Sequence, residues 1–116
     1  MTVSSFTDGG SGTAKSGNKV QVTCKFNIQV VDKVTAAAVN APTLAGTWTV
    51  SNGGRGPITS PTTVAGTAAG VVTVTYTAPR KAAGSCTFRI DSISHPDYTG
   101  GMDATTTLVS RSYSWI

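Results

Sequence analysis

Across residues 20–30 the chain alternates without a break. Val20, Val22, Cys24, Phe26, Ile28 and Val30 are apolar, while Gln21, Thr23, Lys25, Asn27 and Gln29 between them are polar. A two-residue period puts the two sets on opposite faces of a β-strand; a helix would scatter both around its axis. The period returns in residues 44–50, with Leu44, Gly46, Trp48 and Val50 together. It returns in residues 71–77, with Val72, Val74 and Tyr76 together, and in residues 85–94, with Cys86, Phe88 and Ile90 together. Three weaker stretches complete the pattern. Residues 2–7 offer Val3 and Phe6. Residues 58–64 are interrupted by Pro61, which suits a sheet edge because no ladder partner misses its N–H. Residues 104–115 run through Thr, Leu and Val into an aromatic tail.

Turn chemistry separates these stretches. Residues 8–18 are rich in Gly, Ser and Thr and read as a flexible polar loop, so residues 1–18 are predicted to be a short polar strand followed by that loop. Residues 51–57 (Ser-Asn-Gly-Gly-Arg-Gly-Pro), 65–70, 78–84 and 95–101 are further turn signals. Residues 33–42 contain Thr-Ala-Ala-Ala-Val, but the run is short, lacks a cap and ends at Asn40-Ala41-Pro42. It is read as a bent crossover or a short strand. About seven strands in one domain, residues 1–116, predict an all-β sandwich of two antiparallel sheets. Its predicted core is Val22, Phe26, Ile28, Trp48, Val72, Val74, Phe88 and Ile90.

Cys24 and Cys86 fall on the apolar faces of the two most regular strands, with Trp48 between them on a third. Cys…Trp…Cys on separate strands is how an immunoglobulin-like sandwich ties its sheets together around an indole. Trp48 stands further from the first cysteine than in antibody domains, and Gly84 occupies the place of their corner tyrosine. The fold expected is therefore immunoglobulin-like without being of the antibody type. The cysteines are read as a disulfide; two buried thiols acting as small apolar residues are the alternative.

Composition narrows the class. Charged residues make up only 12% of the chain, all five acids are Asp, and there is no Glu, which argues against long helices. Solubility then rests on hydroxyls and amides, as in extracellular β domains. The net charge of +4 comes from scattered bases, of which only Arg80 and Lys81 are adjacent. Without a basic cluster, nucleic acid is not an expected partner. No apolar run approaches the roughly 18 residues a membrane span requires, so no membrane insertion is expected. The polar residues after Met1 lack the plan of a secretory signal, and Met1 reads as a start placed before a domain cut from a longer secreted chain.

Four motifs carry a resemblance: Val30-Val31-Asp32, Gly46-Thr47-Trp48, Gly84-Ser85-Cys86-Thr87-Phe88 and His95-Pro96-Asp97-Tyr98, with Ser5-Phe6-Thr7-Asp8-Gly9 as a matching opening. In this order the chain resembles extracellular immunoglobulin-like accessory domains of the bacterial Ig-like and carboxypeptidase-regulatory-like group. The resemblance implies a non-catalytic module found beside secreted hydrolase domains or repeated in surface proteins, with neighbouring domains of a parent protein as its partners. The group shares no catalytic residues. Residues 33–42 are longer than the group's usual turn.

The side chains offer little chemistry. The one histidine, His95, precedes Pro96 in a loop, and no Gly-x-Ser-x-Gly elbow is present; no enzyme activity and no cofactor are expected. Two cysteines and a distant histidine lack zinc spacing. Asp97 and Asp103, with nearby carbonyls, are weak calcium candidates, and the simpler reading is that each begins a turn. A Lys–Asn isopeptide is not expected, because Lys25 and Asn27 face the polar side. The specific binding alternative is carbohydrate, a polysaccharide or a cell-surface glycan, stacked on Tyr98, Tyr113 or Trp115. Tyr113 and Trp115 should share one face. In the competing reading Trp115 closes the core and Tyr98 folds over a hairpin. Binding is predicted at that aromatic face, or at the loops of one end, residues 51–57 and 95–101. The leading expectation is a spacer or binding module of a secreted or cell-surface protein. A carbohydrate-binding module and an adhesion or virion surface domain are the alternatives.

Overall fold

The computed structural model describes residues 1–54 and 56–116, and among these the chain forms eight strands and no helix. In order they are β1 (Thr2–Asp8), β2 (Gly12–Ser16), β3 (Lys19–Val31), β4 (Thr43–Ser51), β5 (Ile58–Ala65), β6 (Val71–Pro79), β7 (Gly84–Ser94) and β8 (Ser110–Trp115). The alternating ribbon is β3. Along one edge it pairs with β1 over Phe26 to Val31 and with β2 over Lys19 to Thr23; along the other it pairs with β6. The second sheet runs β5-β4-β7-β8, and every pairing in both sheets is antiparallel. The fold is an all-β, immunoglobulin-like sandwich.

Every residue predicted for the core is buried, and Val3, Phe6, Val30, Leu44, Val50 and Ile93 join them. Trp48 lies at the centre of an aromatic cluster. Its indole stacks on Phe26 (ring centroids 5.6 Å apart), meets Phe88 edge-on (5.0 Å) and leans on Tyr76 (5.9 Å), while Phe6 closes edge-on over Phe26 and Phe88. Such pairs contribute about 0.5–1.5 kcal/mol each beyond the area they bury. Cys24 of β3 and Cys86 of β7 form a disulfide across the sandwich, with Cα atoms 6.6 Å apart. Of the two readings of the cysteines, the bridge is correct.

Two glycines are required by close approach. A Cβ on Gly46 would collide with the ring of Phe88 and the Arg89 carbonyl. One on Gly84 would collide with the Ser51 carbonyl and, at 2.9 Å, with the Trp115 ring. β4 and β7 thus come together, at both places, at a residue without a side chain.

Two expectations need correction. Residues 8–18 are not all loop, because β2 lies among them and raises the strand count to eight. β3 spans thirteen residues, and β1 covers only its second half. The chain therefore kinks at Gly9–Ser11 and continues along the same edge. Asp8 fixes the kink by accepting the N–H groups of Gly10 and Ser11, both at 2.8 Å, and the Ser11 hydroxyl accepts the Lys25 N–H at 2.9 Å. The last strand begins at Ser110 rather than residue 104. The preceding segment is drawn towards β1 instead of along β7: Asp103 N–H donates to the Met1 carbonyl, and the hydroxyls of Thr2 and Thr106 bond at 2.9 Å.

The sandwich measures 49 × 26 × 19 Å, and thirteen residues of strand at about 3.3 Å each account for most of its length. It therefore has two poles. At the Val31 pole lie Met1, residues 32–42, 66–70 and 95–103, joined by Val39 N–H to Val30 O, Ala41 N–H to Thr67 O and Met1 N to Gly101 O. At the Gly84 pole lie the start of β3, residues 80–83 and the end of β8, joined by Arg80 N–H to Val20 O and Trp115 Nε1–H to Ala82 O. Residues 33–42 form the bent crossover expected. It touches β3 through a single bridge, Val31 to Ala38, and seals the pole with buried Val39.

Candidate functional site

The two loop clusters predicted to share one end lie at opposite poles. β4 and β7 are antiparallel, with Thr43 opposite Ser94 and Ser51 opposite Ser85. The loop after β4 therefore emerges at the Gly84 pole and the loop after β7 at the Val31 pole. Arg55, within the predicted binding loop 51–57, lies outside the described residues. No single surface combines the two loops.

At the Gly84 pole the aromatic pair does share a face. Tyr113 and Trp115 stack with centroids 6.3 Å apart. Trp115, however, is only 4% exposed and donates its indole N–H to the Ala82 carbonyl at 2.8 Å. It closes the core instead of offering a ring to a sugar, because the inner-face register that puts it beside Tyr113 also points it inward over Gly84. Tyr113 is half-buried against it. Asn52 braces the same pole: its amide donates to Pro79 O at 2.8 Å and its carbonyl oxygen accepts the Lys81 N–H at 2.9 Å.

At the Val31 pole His95, Tyr98, Asp32, Lys33 and Asp103 come together through turns. His95 Nδ1 accepts the Asp97 N–H at 3.0 Å, so the ring proton sits on Nε2 and is donated to the Asn40 carbonyl at 2.7 Å. Both nitrogens are committed to backbone, and the imidazole pins loop 95–98 to the crossover. Tyr98 packs edge-on against that ring (5.4 Å) and folds back over the loop through the His95–Tyr98 bridge. The Asp32 carboxylate beside its hydroxyl pushes the phenol above its ordinary pKa.

The carboxylates at this pole are turn-formers. Asp32 is held below its ordinary pKa first by the N–H of Thr35, then by that of Val34. Asp103 is held well below by the Thr105 hydroxyl, by the Lys33 ammonium at 2.9 Å and by the Thr105 N–H at 2.8 Å. Asp97 is 84% exposed and reaches only towards His95 Nδ1, 3.9 Å away. The two calcium candidates do not converge: a lysine already holds Asp103, and among the described residues no three His, Cys, Asp or Glu side chains gather as a metal site. No pocket opens among the described residues either.

Lowered carboxylate pKa values at Asp8, Asp32 and Asp103 fix a pH dependence. Each folded value lies below the ordinary 3.8, so the stabilisation is fully present above that pH and is lost as the pH falls through and below it. The midpoint of thermal unfolding should be flat from about pH 5 to 8 and decline below about pH 4, modestly because the three carboxylates are exposed. Asp103→Asn should make that fall shallower. A variant with the same acid slope as the parent would show that Asp103 is not so engaged.

Sequence reasoning did not single out Arg111. It lies on β8 in line with Tyr113 and Trp115, at a position whose alternation aims inward, and its long side chain turns out to donate to the Phe6 carbonyl of the other sheet at 3.2 Å. A cation at a core-facing position was the available signal. The Lys33–Asp103 pair spans 70 positions and had no local signal. No protein-family model, curated protein or solved structure matches the chain.

Proposed function

We propose that this domain is a non-catalytic, extracellular accessory module that serves as a spacer in a larger secreted or cell-surface protein. The observation that carries the reading is the path of the chain. β1 begins at the Val31 pole and β8 ends at the Gly84 pole, so whatever is joined to the two strands is held apart by the 49 Å long axis. The Cys24–Cys86 bridge matches an oxidising compartment. The carbohydrate reading loses its main platform with the burial of Trp115 and keeps only the half-buried Tyr98 and Tyr113.

Head-to-tail fusions of one, two and three copies test the spacer. In small-angle X-ray scattering each added copy should lengthen the maximum dimension by roughly the 49 Å long axis. Increments of half that or less mean that copies fold back on one another, which no spacer can do. The same samples titrated with soluble polysaccharides, or mixed with insoluble ones, should show unchanged tryptophan emission and no retention. Saturable retention, lost in Tyr113→Ala, would replace the spacer with the carbohydrate reading.

A further inference from the structure

We infer that the domain is a force-bearing strut in which the disulfide carries tension from one sheet to the other and limits extension. The inference rests on the spacer reading and adds a mechanism to it. Tension applied through the two ends enters β1 at the Val31 pole and leaves β8 at the Gly84 pole. β1 pairs only with β3, from Thr2 opposite Val31 to Asp8 opposite Phe26, and β8 pairs only with β7, from Ser110 opposite Arg89 to Trp115 opposite Gly84. Both terminal strands are therefore pulled along their own axes. The hydrogen bonds of each ladder lie across the pull and are loaded together, so neither strand can be peeled off one bond at a time.

β3 and β7, the two strands that receive this load, lie in different sheets and are the two strands joined by Cys24–Cys86. The path is thus β1, ladder, β3, disulfide, β7, ladder, β8. Besides the disulfide, Arg111 to the Phe6 carbonyl links the terminal strands across the sheets. Met1 N to Gly101 O, Asp103 N–H to Met1 O and the Thr2–Thr106 hydroxyls tie the start of β1 to the segment before β8, and apolar contacts add to these. β4, β5 and β6 all lie within the loop closed by the bridge and carry none of the axial load once the terminal strands have slipped. An extended chain spans about 3.5 Å per residue. With the 62-position separation of Cys24 and Cys86 withheld and the 49 Å folded length subtracted, the oxidised domain should gain about 140 Å on unfolding. The whole chain would gain about 350 Å.

Single-molecule force spectroscopy on the full chain, pulled through its two ends between reference domains, tests this. Without reductant each event should lengthen the tether by about 140 Å. Under held force, dithiothreitol should release about 210 Å more, its two thiols closing to a cyclic disulfide and leaving Cys24 and Cys86 as thiols. The direction of loading is tested by moving one handle to an azide-bearing side chain at exposed Ala83. Ala83 and Ile116 lie at the same pole, so pulling between them unzips β8 from β7 pair by pair. The end-to-end pull should rupture at the higher force. Events of about 350 Å without reductant, no second release with it, or an end-to-end force no greater than the unzipping force would each overturn the strut. Scattering from the head-to-tail fusions would be untouched by that failure, so a rigid spacer that bears no load remains distinguishable from no spacer at all.

Discussion

Cys24→Ala/Cys86→Ala should lower the free energy of unfolding by about 4 kcal/mol and the thermal midpoint by about 15 °C. The bridge closes a loop across 62 positions, and on the chain-entropy account most of its effect is to shrink the unfolded ensemble. Domains of this size hold only about 5–15 kcal/mol in total, so the loss is large, but it need not unfold the protein. The core between the sheets is otherwise intact, and the far-ultraviolet circular dichroism should keep its β signature. Guanidinium titrations of the oxidised parent and the double alanine variant give the number. A difference under about 1 kcal/mol would show that the unfolded chain is already restrained without the bridge.

Why the bridge was legible in the sequence, and β2 was not, has one physical explanation. Alternation records which side chains are buried. Cys24 and Cys86 sit in register with Val22, Phe26, Phe88 and Ile90, and their faces could be read directly. β2 covers no core: Thr13, Ala14, Lys15 and Ser16 are all exposed, and the strand is held through its backbone, which every sequence shares. The apolar spacing also marks both bulges. Val3 and Phe6 are three apart because the register with β3 shifts between Val3 and Ser5. Ile90 and Ile93 are three apart because Ser92 and Ile90 face neighbouring residues of β4, Ala45 and Gly46. A spacing of three inside a period of two is the trace of an extra residue in one strand.

The binding surfaces were less legible. Assigning loops 51–57 and 95–101 to opposite poles required knowing that β4 and β7 are antiparallel neighbours, and pairing between strands some forty positions apart leaves no local mark. Trp115 illustrates a different limit. Its face was correct, but a two-residue period cannot say whether an inward-facing ring at the end of a strand stays open or is covered. That is decided by Gly84 and the Ala82 carbonyl. Asp103 could be recognised as a turn residue, whereas the lysine it meets, Lys33, is brought to it by the crossover at the Val31 pole.

Trp48→Ala should cost about 3–5 kcal/mol, the range for emptying a large aromatic site in a packed core. The indole is 2% exposed and is enclosed by Phe26, Phe88 and Tyr76. β4 holds it from two sides: Gly46 lies against Phe88, and Val50 is paired with Cys86. The surroundings therefore have little room to collapse into the void. Trp48→Phe, which keeps a ring for Phe26 to stack on, should recover more than half of the loss. Because the indole acts by filling the folded core and the bridge by restraining the unfolded chain, their effects should add. A variant lacking Trp48 and both cysteines should lose the sum of the two losses to within about 0.5 kcal/mol. Guanidinium unfolding of the four proteins closes that cycle. A combined loss smaller than the sum by 1 kcal/mol or more would mean that the disulfide stabilises the fold largely by pressing the two sheets onto the indole, and the entropic account of the bridge would have to be given up.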